Sequence, residues 1–185
     1  MSHMAAEIDK LPGLHVVQIR YQGSDPALPG SDPIDAYVAS GAYQRLGEAT
    51  IVEPEFPEDR RDDEPTINLG LIGGEIAEAV AAGRRANKPV LVVGGNCAVV
   101  PGVVGGLQVA HGPAAKIGLV WFDAHGEFNT PETTTSGFVD GMGLAIAVGH
   151  CWKQMARGVP GFSVVPKGTW LWRGSGRWIG QSGSA

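Results

Sequence analysis

The chain has 185 residues, 43% of them hydrophobic and 18% charged, which fits a soluble globular protein of one domain with a sizeable core. Its net charge of -5 argues against nucleic acid as the main partner, and no apolar run reaches the ~20 residues needed to span a bilayer. The N-terminus lacks a basic segment followed by an apolar core, and two cysteines, Cys97 and Cys151, make no disulfide framework, so a reducing cytoplasm is the expected compartment.

Met1-Ser-His-Met4 resembles a cloning remnant and is set aside. Leu14-His-Val-Val-Gln-Ile-Arg20 reads as a first strand. Asp32 followed by Pro33 reads as an N-cap and first helical position, which predicts a helix from Pro33 to about Leu46, interrupted by Gly41. Ala49-Thr-Ile-Val52 reads as a second strand. Glu53 to Glu64 holds seven acids against Arg60 and Arg61 and reads as a solvated loop rather than a metal site. From Asn68 to Lys88, Leu69, Ile72, Ile76 and Val80 recur at helical spacing. Pro89-Val-Leu-Val-Val93 is a continuous apolar strand running into Gly94-Gly95, and Asn96-Cys-Ala-Val-Val-Pro101 opens another helix. Strands alternating with helices predict a parallel, doubly wound sheet.

Lys116-Ile-Gly-Leu-Val-Trp-Phe122 is a further buried strand, and Asp123, His125 and Glu127 follow it. In an extended backbone these alternate positions point to one side, at the strand end where open α/β sheets place their sites. Two carboxylates and an imidazole suit a divalent ion such as Mn, Mg, Fe or Zn. The same residues also read as polar caps and anchors of a solvated strand end. Asn129-Thr-Pro131 and a Thr/Ser-rich loop ending at Ser136-Gly137 come next, then Asp140-Gly-Met-Gly-Leu-Ala145 opens an apolar helix, with Asp140 as its expected cap. His150 reads as a residue at the end of that helix, not a ligand. From Lys153 onward there are five basic residues, no acidic ones, and Trp170, Trp172 and Trp178. Val159 to Pro166 reads as a loop approaching a strand, and after Gly168 no coherent period is visible.

The segment from Trp121 to Ala145 resembles the arginase (ureohydrolase) family, which carries Asp-Ala-His-x-Asp, then Asn-Thr-Pro, then a Thr/Ser-rich loop ending Ser-Gly. The resemblance implies an α/β fold of three layers around a doubly wound, mainly parallel sheet. It also implies a binuclear manganese centre and hydrolysis of guanidino or amidino compounds with release of urea. On this resemblance Asp123, His125 and Glu127 are metal ligands, and Asn129 and Ser136 contact the amino-acid end of a small guanidino substrate.

Four positions depart from the family pattern. Asn96-Cys97 stands where Gly-Gly-Asp-His usually ends, so Cys97 reads either as a ligand or as a small buried residue under the site. Glu127 replaces Asp with a longer reach, and Asp140 replaces a proton-shuttling histidine of animal arginases. The resemblance covers residues 5–152 as an arginase-like domain, with 153–185 a divergent or frame-shifted tail. One back-translation of Arg173 to Arg177, read one base later, begins an acidic family motif. The family's later Asp-x-Asp ligands have no counterpart, so the expectation is a truncated ureohydrolase with impaired activity. A non-catalytic remnant that binds at most one metal or acts by association is the alternative. The strands at 89–93 and 117–122 are left to pair directly, recruit the tail or stay exposed as edges, and exposed edges favour a homo-oligomer.

Overall fold

The computed structural model describes residues 13–112, 114–166 and 168–173. The cloning-type leader at Met1–Met4 and the back-translated stretch beyond Arg173 lie outside these residues.

The first sheet has three parallel strands. β1 (Leu14–Ile19) lies between β4 (Ala49–Val52) and β5 (Val90–Gly94). Register aligns Val16 with Ile51 on one side and with Leu91 on the other. A small antiparallel pair, β2 (Tyr21–Gln22) and β3 (Asp25–Pro26), follows β1. All six residues of β1 are buried, His15 and Gln18 among them, as befits a central parallel strand covered on both faces. Alternation sends Leu14 and Val16 into one core cluster with Ile34, Tyr43 and Val93, and Val17 and Ile19 into another with Phe56, Ile72, Ile76 and Val80.

α1 (Ile34–Ala39) begins where predicted, and the Asp32 carboxylate accepts the Ile34 amide at 2.9 Å. It is shorter than the sequence predicts. Gly41 adopts φ +65°, which a right-handed helix cannot continue through, and a separate 3-10 turn, Tyr43–Leu46, follows. α2 (Pro65–Arg85) starts one turn earlier than the apolar period indicates, because Pro65 occupies its first turn and Glu64 caps it through the Thr66 amide. Leu69, Ile72, Ile76 and Val80 are all buried. The acidic segment before α2 is a loop pinned by Asn68, whose side chain bonds both the amide and the carbonyl of Asp62, while Arg61 stacks over the Phe56 ring at 4.1 Å.

Asn96 caps the 3-10 turn Cys97–Val99, which runs into α3 (Val100–His111), packed on α2. β6 (Leu119–Phe122) is followed by a long loop, the 3-10 turn Val139–Met142 and α4 (Gly143–Ala147). α5 (Lys153–Arg157) places Met155 in a buried cluster with Leu69, Met142 and Ile146. His150 sits just past α4, its ring 4.9 Å from that of Phe128.

β7 (Trp170–Arg173) is a strand where the sequence showed no period, paired parallel to β6 in the register Val120–Leu171. Four residues are too few to display alternation in a window, yet Trp170 and Trp172 share one side while Leu171 and Arg173 share the other. Of the three fates open to the strand after Lys116, the recruited tail is the one adopted. Among the described residues β5 has β1 as its neighbour and no strand on its other edge. No helix among them is long and apolar enough to cross a membrane.

Candidate metal centre

Two strand ends build the site. At the end of β5, Gly94 and Gly95 have φ of +84° and +70°, and a side chain at Gly94 would run into the Ile19 carbonyl oxygen. Only glycine makes this turn cheaply, and it delivers Asn96 and Cys97 to the carboxyl end of the sheet. Asn96 is consumed by capping, its Oδ1 accepting the Ala98 amide at 3.2 Å. Cys97 is held from the opposite side of the cleft: its amide donates to the Asp140 carboxylate, and its carbonyl oxygen lies 2.5 Å from where a Cβ on Gly143 would stand. Asp140 therefore does not cap the helix that follows it, as the sequence suggests. Its carboxylate instead accepts the N–H of Cys97, the first residue of the 3-10 turn that Asn96 caps.

At the end of β6 the backbone does not stay extended. Asp123 folds back so that its Oδ1 accepts the His125 amide at 2.9 Å, and Glu127 takes a left-handed φ of +45°. The Glu127 carbonyl receives two amides from the first turn of α4, Leu144 at 3.0 Å and Ala145 at 3.2 Å, and Asn129 donates its amide to the Gly141 carbonyl at 3.0 Å. These bonds offset the strain of a non-glycine residue with positive φ.

The result brings together Cys97 Sγ and one carboxylate oxygen each from Asp123 and Glu127, all within 4.8 Å of one another. The Cys97 Sγ to Asp123 Oδ2 distance is 3.9 Å. His125 stands at the rim with its side chain 81% exposed, Nδ1 lying 3.7 Å from Asp123 and 3.6 Å from Glu127. Its carbonyl is fixed from behind by the Trp172 indole N–H at 2.8 Å. Among the described residues neither carboxylate pairs with a lysine or arginine. Burial, then the charges of Asp123 and Asp140, raise the Glu127 pKa, with His125 opposing. Burial and the Asp140, Glu127 and Asp123 carboxylates push the Cys97 thiol up to about 12.

Asn129 and Ser136 are placed differently from each other. Asn129 Oδ1 is buried with no hydrogen-bond partner. Ser136 lies on the exposed loop, its Oγ accepting the Phe138 amide at 3.2 Å. A cleft of about 980 Å³ opens beside the cluster, lined by Asn96, Cys97, Trp121, Phe138 and Asp140 among others. The Trp121 indole N–H is also buried and unpartnered. The sequence signal for Cys97 was its place after a glycine pair at a strand end. Nothing local pointed to the Asp140 contact.

Residues 51–161 match the model of a protein family described as the arginase family. The chain is 32% identical over 111 residues to an arginase from Entamoeba histolytica, covering 56% of this chain and 36% of that one. It is 36% identical over 92 residues to an arginase from Bacillus subtilis, covering 48% and 30%. The matched stretch spans about a third of the length of these curated relatives. The fold is similar to that of the Entamoeba histolytica arginase solved in complex with L-ornithine, with a TM-score of 0.70 and 20% identity, covering 88% of this chain and 57% of that one. An arginase from Bacillus cereus superposes with a TM-score of 0.69 at 22% identity, covering 86% and 55%.

Proposed function

The chain belongs to the arginase family, and from that premise we propose that it carries part of a ureohydrolase-type centre for hydrolysis of guanidino compounds. The observation that carries the reading is the convergence of the Asp123 and Glu127 carboxylates, with His125 beside them, at the carboxyl end of β6. This donor set fits a divalent cation. Two carboxylates held together without a lysine or arginine attract a positive charge between them, and oxygen and imidazole donors suit manganese and its neighbours. Asp123, His125 and Glu127 would hold the ion, which supplies Lewis acidity and a water acidified enough to attack a guanidinium carbon.

The remaining chemistry belongs to the chain. The Asp123 carboxylate is oriented by its bond to the His125 amide, and the Glu127 backbone is held by the two amides on its carbonyl, so loading requires only small side-chain movements. The buried Asn129 Oδ1 lacks a donor, and the ammonium of an amino-acid substrate would provide one if the loop around it opened. The exposed Ser136 hydroxyl is suited to the matching carboxylate. That a neighbour of the same fold holds L-ornithine supports a substrate with an amino-acid end.

The test is manganese titration of the metal-free chain by calorimetry, with urea release measured on arginine, agmatine and guanidinobutyrate. One ion bound per chain, lost in an Asp123→Ala, His125→Ala double variant, is the expected result. Identical titrations for that variant and the parent overturn the site. Binding with no urea release across the panel leaves the non-catalytic, single-metal reading in its place.

A further inference from the structure

We infer that Cys97 supplies a sulfur ligand to this centre and shifts its metal preference from manganese toward thiophilic ions such as zinc and cobalt. This rests on the metal-site reading above and adds to it a ligand and a specificity. The family pattern has histidine at this position, so the sulfur is a property of this chain.

Geometry carries the inference. The sulfur and the carboxylate oxygens of Asp123 and Glu127 form one group within 4.8 Å, whereas His125 sits at its exposed rim. Donors on opposite sides of an ion with ~2.0–2.3 Å bonds lie at most about 4.5 Å apart, so an ion draws this group closed with small side-chain movements. The backbone of Cys97 is already fixed, by the Asp140 carboxylate on its amide and by the close approach of its carbonyl to Gly143. Asn96 is spent on a cap, which leaves Cys97 as the residue of the pair free to turn toward the carboxylates. A thiol is a poor partner for a hard ion and a good one for a borderline ion. On loading, the thiol proton leaves to solvent, the sulfur–metal bond forms, and no oxidant or reductant is required.

Any nitrogen and oxygen site already ranks zinc above manganese, so the diagnostic quantity is the change in that ranking. The metal-free chain, its Cys97→Ser and Cys151→Ser variants, and an Asp123→Ala control are titrated with zinc, cobalt and manganese. Thermal unfolding of each apo chain establishes that it is folded. The expected result is a near-ultraviolet thiolate-to-cobalt charge-transfer band in the parent and in Cys151→Ser that disappears in Cys97→Ser. The zinc-to-manganese affinity ratio is expected to fall at least tenfold in Cys97→Ser. Metal binding that needs Asp123, with no such band and an unchanged ratio in Cys97→Ser, overturns the sulfur ligand and leaves the oxygen and nitrogen site standing. Binding indifferent to Asp123 overturns both.

Discussion

The carboxylate of Asp140 accepts the backbone N–H of Cys97, 43 residues earlier in the chain. It ties the loop leaving β5 to the loop entering α4. Removing the acceptor leaves a partly buried amide without a partner, so Asp140→Ala is expected to cost about 1–3 kcal/mol and Asp140→Asn, which keeps an acceptor oxygen, distinctly less. Denaturant unfolding measures both. Equal stability of all three chains would mean that water replaces the carboxylate.

Gly143 faces the same loop. An added Cβ would stand 2.5 Å from the Cys97 carbonyl oxygen, a backbone atom that cannot swing aside. Gly143→Ala is therefore expected to destabilise by about 1–3 kcal/mol through overpacking, and to weaken metal binding by moving Cys97. A stable variant with unchanged titrations would show that α4 shifts to accommodate the methyl.

His15 is buried in β1, its Nε2 without a partner. Burial first, then the Lys88 charge, hold its pKa below the ordinary 6.5, while a hydrogen bond with the Ala79 backbone works the other way. A depressed folded value means the unfolded chain takes up the proton at higher pH. This contribution to stability is complete above 6.5 and is lost as pH falls through the folded value. Unfolding midpoints are expected to rise with pH below about 6.5 and to level off above it, and the rise to flatten in His15→Gln. An equal slope in the variant would assign the dependence to other groups.

Val120, Phe122 and Leu171 lie exposed on the outer face of the β6–β7 pair, Phe122 at 86%. Contiguous exposed apolar surface of this kind favours association. Sedimentation is expected to detect self-association that a Phe122→Lys, Leu171→Lys double variant reduces. An equally monodisperse monomer for both chains would contradict it.

On the proposed reading Ser136 would contact substrate and Asp123 would contact the metal, and substitutions separate the two roles. Ser136→Ala is expected to leave metal affinity unchanged, because its hydroxyl lies on the exposed loop. Asp123→Asn is expected to lower metal affinity at least tenfold. Calorimetry on both variants reads the split, and equal losses would place Ser136 within the metal shell.

What the sequence determined by itself is local. The period of Leu69, Ile72, Ile76 and Val80 marks a buried helix face, and the apolar runs before Gly94 and Asp123 mark strands, but the burial expected of the second run is not met, since Val120 and Phe122 of β6 are exposed and Trp121 alone in it is buried. The polar residues after β6 are legible as a candidate site because they end an apolar strand. Tertiary structure decided the rest. Glu127 turns toward Asp123 because its carbonyl is claimed by two amides of α4, not because the strand continues extended. Cys97 meets Asp123 across 26 residues and Asp140 across 43, while Trp170–Arg173 finds β6 from some fifty residues away. The ends of β5 and β6, which lie in separate sheets, are brought together by contacts such as those of Cys97 with Asp140 and Gly143. No window of sequence contains both partners of such a contact, and each partner's own spacing is compatible with several neighbours.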